Sequence, residues 1–453
     1  MKIVRTLIAF LIASFAVFNV LAQAPGEDRV LGWIQAFNSG ADQLEAFSQA
    51  NYTPTALQRR TPAERRAMYD QLHAAHGKLD VVSIRVDGKT LEAGIRDERG
   101  QPVRFRFLID SEPAHRIAGL GIEVGGGGDD EGPALPPLEL PKTGFSAPLD
   151  AYIRKLPDFS GCVLVARNGE IQFEKAYGMA SRRYEIPNKT STRFNVGSIT
   201  KDFTKVALGQ LAQAGKLKLD VPIVTYLPDY PNKDAARKIT IQQLIEHRSG
   251  LGDIFTPRAW ERNPAQFRTP QSYIDFFASD ALQFEPGQGQ RYSNYGYVVL
   301  GAIIEAVSGE SYFDYIQKHV FEPAGMTGSG FFDPREIVKD LAMGHTLRGP
   351  NGPLPQPAEN TSLRAPIPAG GSQSTARDLL AFDRALRAGK LLDAERTRWF
   401  FRGDPDGPFV GAGGSPGVNG VIGSDGTWTV VVLTNIDPPT GEKFGEALFE
   451  ALR

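Results

Sequence analysis

The chain has 453 residues, of which 41% are hydrophobic and 23% are charged, a composition typical of globular proteins with a sizeable core. Fifty basic and 52 acidic residues give a formal net charge of -2, so we expect neither nucleic acid as a partner nor polybasic attachment to a membrane. The length is compatible with two domains.

The first 24 residues have the pattern of a secretory signal peptide. Lys2 and Arg5 precede an apolar stretch from residue 7 to residue 20, and small residues follow it where a peptidase would cut. The stretch is shorter than the ~20 residues of a bilayer span, which favours cleavage over a transmembrane anchor. We therefore expect a secreted or periplasmic protein with no stable membrane anchor after the signal is cleaved.

Residues 25–124 predict a small α+β domain of unknown role. Apolar positions between Leu31 and Phe47 are spaced as in amphipathic helices, and Thr61 precedes a further helix with a proline in its first turn. Alternating runs then predict four antiparallel strands, at 81–86, 90–95, 103–109 and 117–124. This order resembles the cone-shaped domains of the nuclear-transport-factor and cystatin-like type. We expect His73 and His76 to lie on a solvated helix face rather than to bind a metal.

Residues 125–144 are rich in Gly and Pro and are expected to link this domain to a second one, residues 145–453. In the second domain, predicted strands at 161–166 and 170–177 flank Asn168-Gly169, which suits a type I′ turn. Helices and loops follow up to about residue 386, and strands at 417–423 and 428–435 precede a closing helix. The predicted fold class is α+β, with an antiparallel sheet from both ends of the domain and a helical insert. Cys162, the only cysteine, is expected in the core.

Ser198-Ile199-Thr200-Lys201 is the only Ser-x-x-Lys sequence in the chain. It precedes a predicted helix, so Ser198 is expected in the first turn, where free N–H groups favour a developing oxyanion. Lys201 lies three residues on, which places its amine on the same face and within reach of the serine hydroxyl. To act as a base near pH 7, the lysine needs a pKa lowered by roughly 3 units, which a buried site can cause. The alternative is an ordinary helix start with a solvent-exposed lysine.

Tyr292-Ser293-Asn294 is the second candidate element. A phenol beside a lysine can pass a proton to a leaving group, and the Asn294 amide can orient both the lysine and the substrate. Tyr230 begins a segment with the same spacing, but its proline-rich surroundings predict a surface turn. Tyr292 is preferred because an apolar helix follows it and supports the loop. The alternative role is hydrogen bonding within a loop.

The glycine-rich segment from Gly411 to Gly417 is the third candidate element. Glycines let a strand edge come close to a substrate, so Gly413 and Gly414 are candidates for an oxyanion hole. Taken alone, such a segment is more typical of a flexible loop. Residues 413–417 also match the Gly-x-Ser-x-Gly elbow of α/β-hydrolases, but that elbow needs a helix next, whereas Pro416 and a predicted strand follow.

In this order the three elements resemble the serine β-lactamase and penicillin-binding-protein family, in particular its class C, D-Ala carboxypeptidase and esterase branch. The likeness runs from about residue 159 to 435 and includes segments at 244–251, 284–287, 325–326 and 368–378. The resemblance implies an acyl-enzyme mechanism in which Ser198 is the nucleophile and Lys201 and Tyr292 carry the proton. It further implies that the N–H groups of Ser198 and Gly414 hold the oxyanion, with no metal and no organic cofactor.

The chain departs from the family pattern at Gly411, where the family usually has Lys, His or Trp. Loss of a cation there removes an anchor for a substrate carboxylate, a contact worth roughly 1.5 to 3 kcal/mol. His247 is expected to have a structural hydrogen-bonding role rather than to replace that cation. We therefore predict an extracytoplasmic serine hydrolase for a small-molecule ester, amide or peptide substrate. Two alternatives stay open: a β-lactamase, D-Ala-D-Ala carboxypeptidase or D-aminopeptidase, and a non-catalytic binding protein on the same fold.

Overall fold

The computed structural model describes residues 26–453 apart from residues 59–60, 88–89, 99–101, 111–113, 124–134, 261, 350–351 and 361–363. The chain divides into two compact units between Gly126 and Gly127. The expected signal peptide and the first half of the expected linker, residues 125–134, lie outside the described residues. Within the described part, no helix combines the length and the apolar character needed to cross a lipid bilayer.

The described residues of the first unit form four helices and one antiparallel sheet. Its helices are α1 (Glu27–Ser39), α2 (Ala41–Asn51), α3 (Pro54–Gln58) and α4 (Pro62–His76). Its strands are β1 (Leu79–Asp87), β2 (Thr90–Asp97), β3 (Pro102–Ile109) and β4 (Ile117–Glu123), and they pair in that order. The four predicted strands are thus confirmed. Thr61 caps α4 through a reciprocal hydrogen-bond pair with Glu64, as its position predicts.

One histidine of α4 is buried, contrary to the expectation from the sequence. His76, the last residue of the helix, is 7% exposed, and its Nδ1 lies 3.3 Å from Oδ2 of Asp97 on β2. The spacing of His73 and His76 predicts one solvated face, but the helix ends against the sheet, so only His73 is exposed.

The second unit is built around a five-stranded antiparallel sheet. The strands of the whole unit are β5 (Gly161–Arg167), β6 (Glu170–Tyr177), β7 (Met179–Ser181), β8 (Ile186–Pro187), β9 (Phe194–Asn195), β10 (His345–Gly349), β11 (Gly352–Glu359), β12 (Gln373–Ser374), β13 (Phe409–Ser415), β14 (Val418–Ser424) and β15 (Trp428–Thr434). The main sheet has the order β13-β14-β15-β5-β6, which combines both ends of the unit as predicted. Asn168 and Gly169 have φ of 51° and 78°, and the predicted type I′ turn requires both values to be positive.

Helices cover both faces of this sheet. The helices of the second unit are α5 (Ser146–Ile153), α6 (Thr200–Gln213), α7 (Lys233–Lys238), α8 (Ile241–Ile245), α9 (Pro257–Trp260), α10 (Pro270–Phe277), α11 (Asn294–Ser308), α12 (Tyr312–Ile316), α13 (Glu322–Ala324), α14 (Ala376–Arg387), α15 (Ala394–Phe400) and α16 (Thr440–Leu452). Phe444 of α16 shares one core with Val163 of β5. Phe203 of α6 shares the other core with Cys162 and Leu164, so successive residues of β5 serve opposite faces. This arrangement brings the start of α6 close to the sheet edge formed by β13.

Candidate active site

Ser198 lies in a short 3-10 turn, Gly197–Ile199, that leads directly into α6. The N–H of Gly197 donates to the Asn195 side chain at 2.8 Å, and the hydroxyl of Thr200 donates to the Gly197 carbonyl at 2.7 Å. These bonds hold the turn from both sides. The half-buried serine is therefore fixed at the start of a helix, where N–H groups without a helical partner gather.

The Ser198 hydroxyl contacts two side chains that can move protons. Nζ of Lys201 lies 3.1 Å from Oγ of Ser198, and the hydroxyl of Tyr292 lies 2.7 Å from the same oxygen. Lys201 also donates to Oδ1 of Asn294 at 2.8 Å and to the carbonyl of Ala369. The structure thus brings four of the residues named from the sequence into one cluster, although Tyr292 is 94 positions from Ser198 along the chain.

Burial sets the protonation of this cluster. Lys201 is 6% exposed, and burial lowers its pKa to about 7 against the opposing effect of the Asp253 and Asp202 carboxylates. A substantial share of the amine is therefore neutral at pH 7 and can accept a proton. Desolvation raises the pKa of Tyr292 to about 12, so the phenol keeps its proton at neutral pH although half of the residue's surface is exposed.

His247 holds the loop that carries Tyr292. Its ring packs on the Tyr292 ring with the centroids 4.5 Å apart. Its carbonyl accepts from the N–H of Arg291 at 2.8 Å, and its Nδ1 accepts from the N–H of Ser293 at 3.2 Å. Burial lowers the pKa of His247 to about 4, so the ring is a neutral acceptor with a structural role, as expected. Ser293 in turn caps α11 by accepting from the N–H of Gly296 at 2.9 Å.

The alternative tyrosine takes no part in this cluster. Tyr230 is 2% exposed, and its hydroxyl shares a hydrogen bond of 3.0 Å with that of Tyr295. Pro228 and Asp229 before it are exposed, so the turn itself reaches the surface. The expectation of a surface position is nevertheless wrong for the Tyr230 ring, because a large aromatic side chain with a partner for its hydroxyl gains from burial.

The glycines of β13 let the edge of the sheet lie against the serine turn. A Cβ added at Gly413 would lie 2.2 Å from the carbonyl oxygen of Val196 and 2.6 Å from the N of Ser198, so only glycine fits without a backbone shift. A Cβ added at Gly197 would lie 3.0 Å from the N of Gly414, which is therefore also next to the turn. Residues 413–417 form a strand end and a turn into β14, so they are not a nucleophile elbow.

Gly411, which has no side chain, leaves a space beside the carboxylate of Asp202. A Cβ added at Gly411 would lie 2.7 Å from Oδ2 of Asp202. The other carboxylate oxygen of Asp202, Oδ1, pairs with Nζ of Lys205 at 2.8 Å. The Lys205 ammonium also lies over the Phe400 ring, 4.4 Å from its centroid. The charge of Lys205 is therefore already balanced by Asp202 on the same helix.

Two residues of the cluster have no assigned part in the sequence-based prediction. Ala369 accepts from Lys201, and its signal in the sequence is the family-like segment 368–378. Asp253 accepts from the backbone N of Asn294 at 2.7 Å and from its Nδ2 at 3.1 Å. The sequence carries no signal for Asp253, because its partner is 41 positions away. Among the described residues, no group of three or more His, Cys, Asp or Glu side chains is placed to hold a metal ion.

Comparison with known proteins points to one family. The family model described as Beta-lactamase matches residues 149–402, more than half of the chain. This match contains Ser198, Lys201 and Tyr292 and ends before β13. The putative penicillin-binding protein PbpX of Bacillus subtilis (strain 168) is 36% identical over 240 residues, which cover 53% of this chain and 58% of that protein. The chain thus spans a little over half the length of this relative.

Two solved structures show the same fold. A penicillin binding protein from Bacillus halodurans has a TM-score of 0.58 and 28% identity, and the match covers 65% of this chain and 97% of that one. A D-amino acid amidase from Ochrobactrum anthropi SV3, in complex with L-phenylalanine amide, has a TM-score of 0.56 and 25% identity. That match covers 65% of this chain and 93% of the amidase.

Proposed function

The chain belongs to the beta-lactamase family, whose members are serine hydrolases, and we propose that it hydrolyses small esters or amides outside the cytoplasm through an acyl-serine intermediate. One observation carries the proposal: a single hydroxyl, that of Ser198, lies within hydrogen-bond distance of both the Lys201 amine and the Tyr292 phenol. The signal-peptide pattern of residues 1–24 supports the location.

In the proposed acylation, the neutral amine of Lys201 removes the Ser198 proton while Oγ forms a bond to the substrate carbonyl carbon. The carbonyl electron pair moves onto its oxygen, and the N–H groups of Ser198 and Gly414 stabilise the resulting oxyanion. The oxyanion then collapses and the bond to the leaving group breaks. The leaving oxygen or nitrogen takes the proton of Tyr292, and the proton held by Lys201 restores the phenol.

In the proposed deacylation, water replaces the alcohol or amine. Lys201, neutral again, takes a proton from the water as its oxygen attacks the acyl carbon. The bond between that carbon and Oγ of Ser198 then breaks, and Oγ recovers the proton from Lys201. The acid product leaves, and the enzyme returns to its starting state without a cofactor in any step.

The surroundings of Gly411 favour substrates without a carboxylate near the reacting carbonyl. Glycine supplies no cation there, the ammonium of Lys205 is paired with Asp202, and His247 is neutral above pH 4. A substrate carboxylate beside β13 would therefore lose its water shell without gaining a free cation from Gly411, Lys205 or His247. Esters and uncharged amides do not have this cost.

A second candidate function is hydrolysis of amino-acid amides or peptides. The similarity to the D-amino acid amidase favours it, since that fold neighbour matches over most of its own length. The same acyl-serine steps apply, with an amine as the leaving group. A purified-protein panel of p-nitrophenyl esters, D- and L-amino-acid amides and a chromogenic cephalosporin separates this function from an esterase and from a β-lactamase.

Covalent labelling tests the common step. A fluorophosphonate is expected to label the intact protein on Ser198, and the Ser198→Ala variant is expected to lose both label and turnover of p-nitrophenyl acetate. Ser308→Ala is the matched control, because that hydroxyl bonds to backbone groups within and just after α11, the carbonyls of Ile304 and Glu310 and the N–H of Glu310. Normal labelling of Ser198→Ala would contradict the proposal. Tight ligand binding without release of p-nitrophenol would instead support the non-catalytic alternative.

A further inference from the structure

Asp253 lies behind the proposed proton relay and contacts neither Ser198 nor Lys201 through a hydrogen bond in the structure. One carboxylate oxygen, Oδ2, accepts from the backbone N of Asn294 at 2.7 Å and from its side-chain Nδ2 at 3.1 Å. The other oxygen, Oδ1, accepts from the N of Phe255 at 3.0 Å and lies 3.3 Å from the same Nδ2. The carboxylate thus accepts one hydrogen bond from its own chain segment, at Phe255, and hydrogen bonds from both nitrogens of Asn294.

The hydrogen bonds to Asp253 fix the orientation of the Asn294 amide, because an amide side chain can face a neighbour with either its oxygen or its nitrogen. A carboxylate only accepts hydrogen bonds, so Asp253 requires the nitrogen of the Asn294 amide on its side. The oxygen of the amide then faces the amine of Lys201 at 2.8 Å. A reversed amide would bring two oxygens together at Asp253 and would present an N–H donor to the amine.

The hydrogen-bond count of the amine shows the consequence. A neutral lysine amine has two N–H donors and one lone pair. Oδ1 of Asn294 and the carbonyl of Ala369 can only accept, so they take the two hydrogens. The remaining neighbour is the Ser198 hydroxyl at 3.1 Å, and the lone pair is left for its proton. A reversed Asn294 amide would occupy that lone pair and would leave the serine without a base.

We propose that Asp253 is a positioning residue that locks the Asn294 amide with its oxygen towards Lys201. The locked amide aims the lone pair of the amine at the Ser198 hydroxyl. This inference rests on the proposed acyl-serine mechanism and adds to it a residue that acts through Asn294 without touching the substrate.

Asp253 also acts on the amine through its charge, which gives the proposal a measurable signature. The charged and titratable groups around the Lys201 amine come from four segments. These are α6, residues 247–253, residues 292–297 and the turn after α15, and the groups are Asp202, Lys205, His247, Asp253, Tyr292, Tyr297 and Arg402. Asp202 is already paired with Lys205. Arg248 and Arg258, the arginines on either side of Asp253 in the sequence, pair with Glu246 and Asp280 instead. Removing this charge is therefore expected to lower the pKa of Lys201 further, because the carboxylate favours the ammonium form.

The test is a pH profile of Asp253→Asn with p-nitrophenyl acetate. The variant is expected to lose roughly tenfold or more in kcat, because the amide of Asn294 is no longer held in one orientation. The acidic limb of its kcat/KM profile is expected to move down by roughly half a pH unit to one unit. Asp378→Asn is the matched control, since Asp378 also accepts from a backbone N–H and a side chain, at Gly328 and Ser329. Its limb is expected to stay in place.

A second variant separates charge from position. Asp253→Glu keeps the charge but moves it, so it is expected to keep the wild-type limb and still lose kcat. A purely structural role would lower the melting temperature or kcat of Asp253→Asn with an unmoved limb, and that result overturns the inference. So does a kcat of Asp253→Asn within twofold of wild type. Failure of the wild-type protein both to label at Ser198 and to turn over any ester or amide of the panel overturns the proposed function itself.

Discussion

Replacing Gly413 by alanine tests how closely the sheet edge has to approach the serine. The added Cβ would lie 2.2 Å from the carbonyl oxygen of Val196, and Cβ atoms essentially never come closer than 3.0 Å to such an atom. The strand and the turn therefore have to separate by roughly 0.8 Å, because both contacting groups are backbone. A shift of about 1 Å at reacting groups can cost roughly 100-fold, and loss of one oxyanion donor costs about 2.7 to 4 kcal/mol. We expect kcat/KM of Gly413→Ala to fall roughly 100-fold.

The assay is steady-state hydrolysis of p-nitrophenyl acetate, with thermal unfolding followed by circular dichroism in parallel. Gly423→Ala on the neighbouring strand β14 is the matched control, because its added Cβ has the Phe449 side chain as its nearest contact, at 3.2 Å or more. The shift needed there is a few tenths of an ångström in a side chain, against roughly 0.8 Å between two backbone segments at Gly413. If Gly413→Ala kept kcat/KM within threefold of wild type at an unchanged melting temperature, the close approach of β13 would have no part in catalysis.

Three further outcomes follow from the same geometry. As the pH is raised towards 7, kcat/KM is expected to rise about tenfold per pH unit and to level off above pH 7. The reason is that burial places the pKa of Lys201 at about 7 and only the neutral amine is a base. A flat profile from pH 5 to 8 would contradict this. Tyr292→Phe is expected to lower kcat roughly 100-fold with little change in KM, measured on an amide with a poor leaving group; unchanged turnover would exclude the phenol as proton donor. Gly411→Lys places a cation beside Asp202. It is expected to raise kcat/KM for a carboxylate-bearing ester roughly tenfold relative to kcat/KM for the methyl ester of the same compound. Equal changes for the two substrates would refute the argument that a carboxylate anchor is missing at Gly411.

The main architecture could be predicted because local and global signals agree. The hairpin at Asn168-Gly169 has a turn sequence with one well-defined conformation, and the apolar runs at both ends of the second unit fit a buried sheet. Ser198 and Lys201 are three residues apart on one helix, so their proximity follows from helix geometry alone. The role of Tyr292 is predicted from the family resemblance, because no local rule places this residue next to Ser198, which is 94 positions away.

Other features depend on tertiary contacts that no short pattern encodes. The hairpin of β10 and β11 falls in the segment expected to be helix and loop, because prolines in 352–359 weaken the signal of a strand. The sequence around Tyr230 and around His76 predicts exposure of both side chains. Each is nevertheless buried beside a polar partner from another segment, Tyr295 and Asp97 respectively. Asp253 is a short acidic residue in a loop, and its importance depends entirely on facing Asn294.

The pairing of β15 with β5 has a consequence for the order in which the protein can be made. Thr434 lies opposite Gly161, so the central strands meet only after some 270 intervening residues have been synthesised. Such long-range closure is slow compared with hairpin or helix formation. The emerging polypeptide therefore carries its serine, lysine and tyrosine long before the backbone amides that complete their cavity. A nascent chain that stops short of residue 409 is expected to be inert, and catalytic competence should appear abruptly once the last three strands have been released.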